Sequence, residues 1–231
     1  MSGHLELKDI VLIGRRFMEY CRIFSLNETI LAGGKILDAA SGVSSFCAEA
    51  NKLGYKVTAS DIIYRFGEEQ IAEKCRADQE DVMRQMQVLK DMYVWDFFND
   101  VAALRAYRAE AARLFIEDFR KYGTERYIAA EYPHTGFKDN EFSLSLCSHF
   151  LFMYEDRLDY DFHKQTICEL ARITSDQIRI FPLINLKGVR SAFVNRLMHD
   201  PELNRFRFEI EKVDYEFMKN ADEMMRIHIK I

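Results

Sequence analysis

The segment Asp38-Ala39-Ala40-Ser41-Gly42-Val43-Ser44-Ser45-Phe46 places small residues where a strand must turn sharply into a helix. Small side chains let a ligand approach the backbone closely, and the N–H groups at a helix start favour acceptor atoms. Asp61 stands nineteen positions beyond Gly42, at the end of a β-branched run. A carboxylate there can accept hydrogen bonds from both hydroxyls of a ribose, at the roughly 20-residue spacing that role uses. His149 follows the apolar run Phe142 to Ser148. At the carboxyl edge of a sheet it is the best-placed side chain for moving a proton. His134 and Tyr154 fall in loops that could line the same cleft. His163, His199 and His228 lack metal-like spacing with one another or with acids, so no metal site is expected.

This constellation resembles the first motif of class I S-adenosylmethionine-dependent methyltransferases, an acid followed by three glycines at alternate positions. Asp38 takes the acidic place, Ala40 the first glycine, Gly42 the second and Ser44 the third, with Ser41 between them. Asp61 matches the family's ribose-binding acid, with Ile62 after it. Glu131 to Phe142 resembles the family's run from an acid after strand three to an Asp-Asn-x-Phe lead into strand four. Glu131 then holds the place of the acid near the adenine amino group, with Tyr132 beside it. Ser143 to His149 matches strand four and the cofactor-facing residues at its end, Ser148 among them.

The resemblance covers Lys35 to Asp61, Arg126 to about Leu183, and the terminal strand pair. It implies S-adenosyl-L-methionine as cofactor and methyl transfer to an unidentified, small or medium-sized acceptor. Methyl transfer is an in-line displacement on a sulfonium, so alignment and exclusion of water can do most of the catalysis. A base, for which His149 is the candidate, is needed only if the nucleophile carries a proton it cannot lose unaided. The first helix of this fold often lies across the cofactor cleft. The resemblance therefore makes Arg15, Arg16 and Tyr20 candidates for a substrate or carboxylate contact, alongside His134 and Tyr154.

Only one of the three glycines is kept, and Ala40 and Ser44 add atoms where the backbone would approach the cofactor. A cofactor-binding or interaction module without turnover therefore stays open. So does an NAD(P)-binding Rossmann oxidoreductase, which shares the early unit, although Asp38 and the terminal strand pair fit the methyltransferase arrangement better.

Local patterning supplies the elements that must hold these residues. Val11 to Leu26 reads as a helix with Phe17, Tyr20, Cys21 and Phe24 on one stripe, and Asn27 as its stop or the next cap. Lys35 to Ala40 and Lys56 to Ser60 read as strands joined by a helix over Ser44 to Leu53 that Gly54 closes. That unit implies a parallel, right-handed crossover. Ile71 to Tyr93 fits one long amphipathic helix, and Asn99 can cap a second that ends at Gly123. The stretch is longer than a simple crossover needs, so residues 64–123 read as a helical insertion or lid, or as a long covering helix pair.

Strands are then expected over Arg126 to Ala130, Phe142 to Ser148 and Gln177 to Leu183, with helices over Asp161 to Ile173 and Ser191 to Met198. Phe206 to Tyr215 and Met224 to Ile231 should pair antiparallel at one edge. The fold class is α/β, a Rossmann-like, doubly wound and mostly parallel sheet with a terminal antiparallel strand.

Bulk properties agree with this class. The 231 residues, 48% hydrophobic and 30% charged, suit one domain spanning 1–231, with an N-terminal helical segment over 1–30. A formal net charge of −5 disfavours nucleic acid as a partner. No apolar stretch is long enough for a bilayer and the first residues lack a secretory pattern, so a cytoplasmic protein without a membrane partner is expected. The five scattered cysteines read as small core residues and not as disulfides.

Overall fold

Seven strands build one sheet in the computed structural model, which describes Leu5, Leu7 and residues 9–229. They are β1 (Lys35–Ala39), β2 (Lys56–Ser60), β3 (Tyr127–Ile128), β4 (Phe142–Ser148), β5 (Thr174–Phe181), β6 (Arg207–Lys212) and β7 (Glu223–His228). Their spatial order is β3-β2-β1-β4-β5-β7-β6. Strand β1 pairs parallel with both β2 and β4, and β4 parallel with β5. Only β7 runs the other way, inserted antiparallel between β5 and β6. The expected fold class is therefore present, with the reversed strand one place in from the edge.

Because β1 lies between β2 and β4, the chain winds outward from β1 in one direction and from β4 in the other. A crevice opens at such a switch point, outside the carboxyl ends of the strands. The strands alternate between two apolar layers. Ile36, Val57, Leu146 and Met224 face one of them, and Leu37, Cys147, Ile178 and Met225 the other. The first layer is covered by α1 (Phe17–Ile23), α3 (Phe46–Lys52), α4 (Glu68–Val88) and α5 (Val101–Tyr122), and the second by α6 (Tyr160–Ile173) and α7 (Ala192–Met198). A short helix α2 (Glu28–Leu31) precedes β1, with the Asn27 side chain accepting from the Ile30 N–H at 3.0 Å.

Several elements differ from their sequence-based bounds. The helix expected over Val11 to Leu26 begins only at Phe17, because tertiary partners take the backbone groups before it. The Leu12 N–H donates to Asp78 at 2.8 Å, and the Arg15 carbonyl accepts from the Ser45 N–H at 2.9 Å. Gly14 adopts φ +77°, and a β-carbon there would meet the Val43 carbonyl oxygen at 2.7 Å. Tyr64 sits in a 3-10 turn over Ile62–Arg65, and Tyr93 lies beyond α4 in a bridge to Met218. Asp100, and not Asn99, caps α5 by accepting from the Ala103 N–H at 2.7 Å. Strand β3 keeps two residues of the five expected, and β5 follows α6 directly, starting at Thr174. The last two residues of the expected final strand, 230 and 231, lie outside the described residues.

The five cysteines are free. Among the described residues, no helix is long and apolar enough to cross a membrane, and no group of His, Cys, Asp or Glu could hold a metal ion.

Candidate functional site

The turn after β1 is held by hydrogen bonds from several directions. Ala40 and Gly42 both take left-handed backbone, at φ +51° and +56°. The Gly42 N–H donates to Asp61 Oδ2 at 2.9 Å, and its carbonyl accepts from the Tyr64 hydroxyl at 2.8 Å. Asp61 Oδ1 accepts from the Ile63 N–H at 3.0 Å. One carboxylate thus ties the turn to the end of β2, while each of its oxygens keeps a further lone pair for a ligand. Burial pushes the Asp61 carboxyl up, against the pull of the Ile63 and Gly42 N–H groups.

Ser44 does not leave a free hydroxyl in the cleft. Its Oγ donates to the Arg15 carbonyl at 3.0 Å and accepts from the Phe46 N–H at 3.2 Å, which fastens the start of α3 to the segment before α1. Ala40 holds a left-handed conformation that a β-carbon makes costly. Neither replacement fills the crevice. About 680 Å³ lies open above the turn, within the roughly 300–1,000 Å³ typical of small-molecule sites.

Ala40, Ser41, Gly42, Ser44, Asp61, Ile62, Glu131, Tyr132, Ser148 and His149 line this space together with Arg15 and Tyr20. Asp38 does not reach it. Fully buried beneath the turn, it accepts from the Tyr20 hydroxyl at 2.9 Å and the Ser41 hydroxyl at 2.6 Å. Its place is that of a brace. His134 is exposed and lines no part of the cleft, because its N–H is bound to the Glu131 carbonyl at 2.8 Å in a tight turn. Arg16 points away from the cleft and pairs with Glu49 at 3.0 Å. Tyr154 lies outside the main space, its hydroxyl accepting from the Val11 N–H at 3.2 Å.

Sequence reasoning missed one whole wall. Residues 9–14, Ile63 and Phe66, and the α4 side chains Gln70, Ile71 and Lys74 also line the cleft. Gly14, inside an otherwise helix-like stretch, is the one local signal that this wall is extended.

At the rim, the exposed Glu131 pairs with Arg65 at 3.2 Å. The Tyr132 and Ser60 hydroxyls are bonded at 2.7 Å. His149 is held at φ +54°, with its Nδ1 2.9 Å from the Ser148 hydroxyl and its ring edge-on to Phe181. Burial, then the charges of Arg15 and Arg108, depress its pKa well below the usual histidine value, so the ring is neutral near pH 7. Burial and Arg108 likewise lower the pKa of Arg15, whose Nε is buried without a hydrogen-bond partner among the described residues.

Burial pushes the Asp38 carboxyl up to about 7, even with two hydroxyls donating to it. A carboxyl whose folded value is raised stabilises the fold most below its ordinary pKa, about 3.9. That contribution is lost as pH rises through the folded value. Wild-type chain should therefore lose stability between about pH 4 and 7 relative to Asp38→Asn. Thermal melts of the two proteins across this window check the point, and parallel curves would rule out Asp38 as the titrating group.

No family model matches the chain. The uncharacterized protein MJ0045 of Methanocaldococcus jannaschii is 47% identical over 225 residues, covering 97% of this chain and 98% of that one. Magnesium protoporphyrin IX methyltransferase of Synechocystis PCC 6803, solved with bound SAH, superposes with a TM-score of 0.47 at 14% identity. It covers 91% of this chain and 80% of that one. A putative S-adenosyl-L-methionine-dependent methyltransferase of Methanococcus maripaludis gives a TM-score of 0.45 at 13% identity, covering 93% and 87%.

Proposed function

The chain belongs to one family with MJ0045, and we propose that it is an S-adenosylmethionine-dependent methyltransferase acting on a small or medium-sized acceptor. The observation that carries this reading is the coupling of Gly42 to Asp61 at the switch point, which sets a tight turn beside a ribose-competent carboxylate. Asp61, Ile62, Glu131 and Tyr132 would hold the adenosine end of the cofactor. Ala40, Ser41, Gly42, Ser44 and Ser148 would hold the remainder, with Asp38 bracing the turn from beneath. When bound, the cofactor supplies a methyl group activated on a sulfonium.

The chain's own residues then bind, orient and exclude water. The apolar walls from Leu12, Ile13 and Ile63 would limit water at the reacting centre once the cofactor and acceptor fill the cleft. His149, neutral and bonded to Ser148, would accept the proton of an acceptor that carries one.

Calorimetry with S-adenosylmethionine, S-adenosylhomocysteine and NAD tests the reading, and the first two are expected to bind while NAD does not. Binding of NAD alone would transfer the site to an oxidoreductase. No binding of any of the three would overturn every nucleotide reading. A second reading, a cofactor-binding module without turnover, draws on Ala40 and Ser44. Transfer of labelled methyl to any acceptor in a mixed small-molecule screen decides against it.

A further inference from the structure

A second, smaller cavity of about 90 Å³ lies against the main cleft and shares Val11, Ile13, Arg15 and His149 with it. Its other walls are mostly apolar, with Met83, Met86, Phe217 and Met218 among them. Two polar groups stand out on its lining residues. Among the described residues, the Tyr93 hydroxyl is buried with no hydrogen-bond partner on a residue only 4% exposed, and Arg15 Nε is buried and unpartnered as well. A buried donor left unpaired costs free energy that a ligand acceptor would recover.

The charge around the chamber is also unbalanced. Arg15 and Arg108 both border it, and the one carboxylate bonded to either among the described residues, Glu19, is committed to Arg108 through two hydrogen bonds. With two guanidiniums against that one carboxylate, one positive charge is left in excess beside a mostly apolar space. The groups packed around Arg15 that would oppose an anion are therefore few. Glu19 is already neutralised by its partner, and the Tyr154 hydroxyl is bonded to the Val11 N–H. A neutral polar occupant would satisfy the Tyr93 hydroxyl but leave the excess positive charge of Arg15 and Arg108 unbalanced. A purely apolar one would satisfy neither.

We infer that this chamber is the acceptor subsite and takes a compact apolar acid. Its anionic oxygens lie on Arg15, which also borders the main cleft, and the Tyr93 hydroxyl, and its hydrocarbon part lies against the methionines and Phe217. One of those oxygens, ionised and needing no base, takes the methyl group as the sulfonium–methyl bond breaks and the neutral thioether leaves. The inference rests on the methyltransferase reading for the word acceptor, and on the chamber alone for the ligand class. The volume limits the buried part to a few heavy atoms, since a dry cavity of about 150 Å³ is what holds a benzene ring. A larger acceptor would have to extend through the neck into the main cleft.

Trp95, the chain's single tryptophan, packs edge-on against Phe217 at 5.4 Å and Tyr93 at 6.1 Å. Its emission therefore reports on the chamber without any turnover. Titration with acetate and propionate, against acetamide and propionamide, should show each acid binding at least tenfold more tightly than its amide. Arg15→Gln should remove that preference. Tyr93→Phe, which deletes one unbonded oxygen from a packed ring, should weaken the acids severalfold and leave S-adenosylhomocysteine affinity within twofold.

Equal binding of acids and amides to the wild type, or an acid preference that survives Arg15→Gln, would overturn the inference. Loss of S-adenosylhomocysteine binding in Arg15→Gln, with no acid binding to the wild type, would assign Arg15 to the cofactor and overturn the inference while the methyltransferase reading stands. Selective acid binding in a chain that binds no cofactor would support the anion site and overturn the methyltransferase reading instead.

Discussion

Replacing Arg108 with methionine is expected to destabilise the chain by about 3–5 kcal/mol, the cost of leaving a buried charge without its partner. Arg108 on α5 is 2% exposed, and Glu19 on α1 is wholly buried. Arg108 Nη2 donates to Glu19 Oε1 at 2.8 Å, and Nη1 donates to Glu19 Oε2 and, at 3.1 Å, to the Gly14 carbonyl. The Tyr215 hydroxyl, from the connection between β6 and β7, donates to Glu19 Oε1 at 2.7 Å. One ion pair therefore joins α1, α5, the segment before α1 and the far end of the sheet. At roughly 2–4 °C per kcal/mol for a chain of this size, the melting temperature should fall by about 10 °C. The double variant Arg108→Met with Glu19→Leu should recover most of the loss, because it removes the stranded carboxylate as well. Denaturant melts of the single and double variants check both statements. A single-variant loss below about 1 kcal/mol would mean that the pair does not hold these elements together.

The same pair sets the acid limit of stability. Burial alone would raise the Glu19 carboxyl, but the charge and hydrogen bonds of Arg108 outweigh it and keep the group below the ordinary carboxylate range. A depressed carboxyl gives stability that is fully present above its unfolded pKa, about 4.3, and is lost as pH falls through the folded value. Asp38 acts in the opposite direction and in a higher window, so the two groups favour a stability maximum in mildly acid solution.

The strands nearest the site were readable because their signals are local. Lys35 to Ala40, Lys56 to Ser60 and Phe142 to Ser148 are short apolar or β-branched runs bounded by turn formers; the last two are strands at those bounds, and the first ends one residue earlier, at Ala39. The spacing from Gly42 to Asp61 was equally local, and the two residues are in fact hydrogen-bonded. What patterning could not supply was the destination of side chains. Val11, Leu12 and Ile13 continue the apolar stripe of Phe17 and Tyr20 and so read as helix. Their backbone is instead held by Tyr154 from beyond β4, and by Asp78 and Gln79 from α4. Asp38 sits at a strand end like a ligand-facing acid, yet Tyr20 and Ser41 capture it below the turn. The cleft-lining face of α4 carries Gln70, Ile71 and Lys74, a mixture that no period distinguishes from a solvated surface.

Asp61→Ala should weaken binding of S-adenosylhomocysteine by about 1.5–3 kcal/mol, roughly ten- to 150-fold, because a charged acceptor for a hydroxyl pair is removed. The substitution also frees the Gly42 and Ile63 N–H groups, so the two consequences must be separated. Loss of the loop tie appears as a lower melting temperature without ligand, and loss of the acceptor appears as a weaker calorimetric constant in protein that is still folded. Unchanged affinity in the folded variant would show that the ribose lies elsewhere. Gly42→Val should be more severe, with binding reduced at least about 100-fold, since a β-branched residue at positive φ is a steric outlier. Space for the first added carbon is not the obstacle, for a β-carbon at Gly42 meets only Leu12 Cδ2, at 3.6 Å. Ala40 already holds a left-handed conformation two residues earlier, so Gly42→Ala should cost only the backbone strain of about 1–3 kcal/mol and keep measurable binding. A graded series, with glycine above alanine and alanine far above valine, is the signature of a turn whose backbone cradles the ligand. Equal affinities across the three would place the ligand away from the turn.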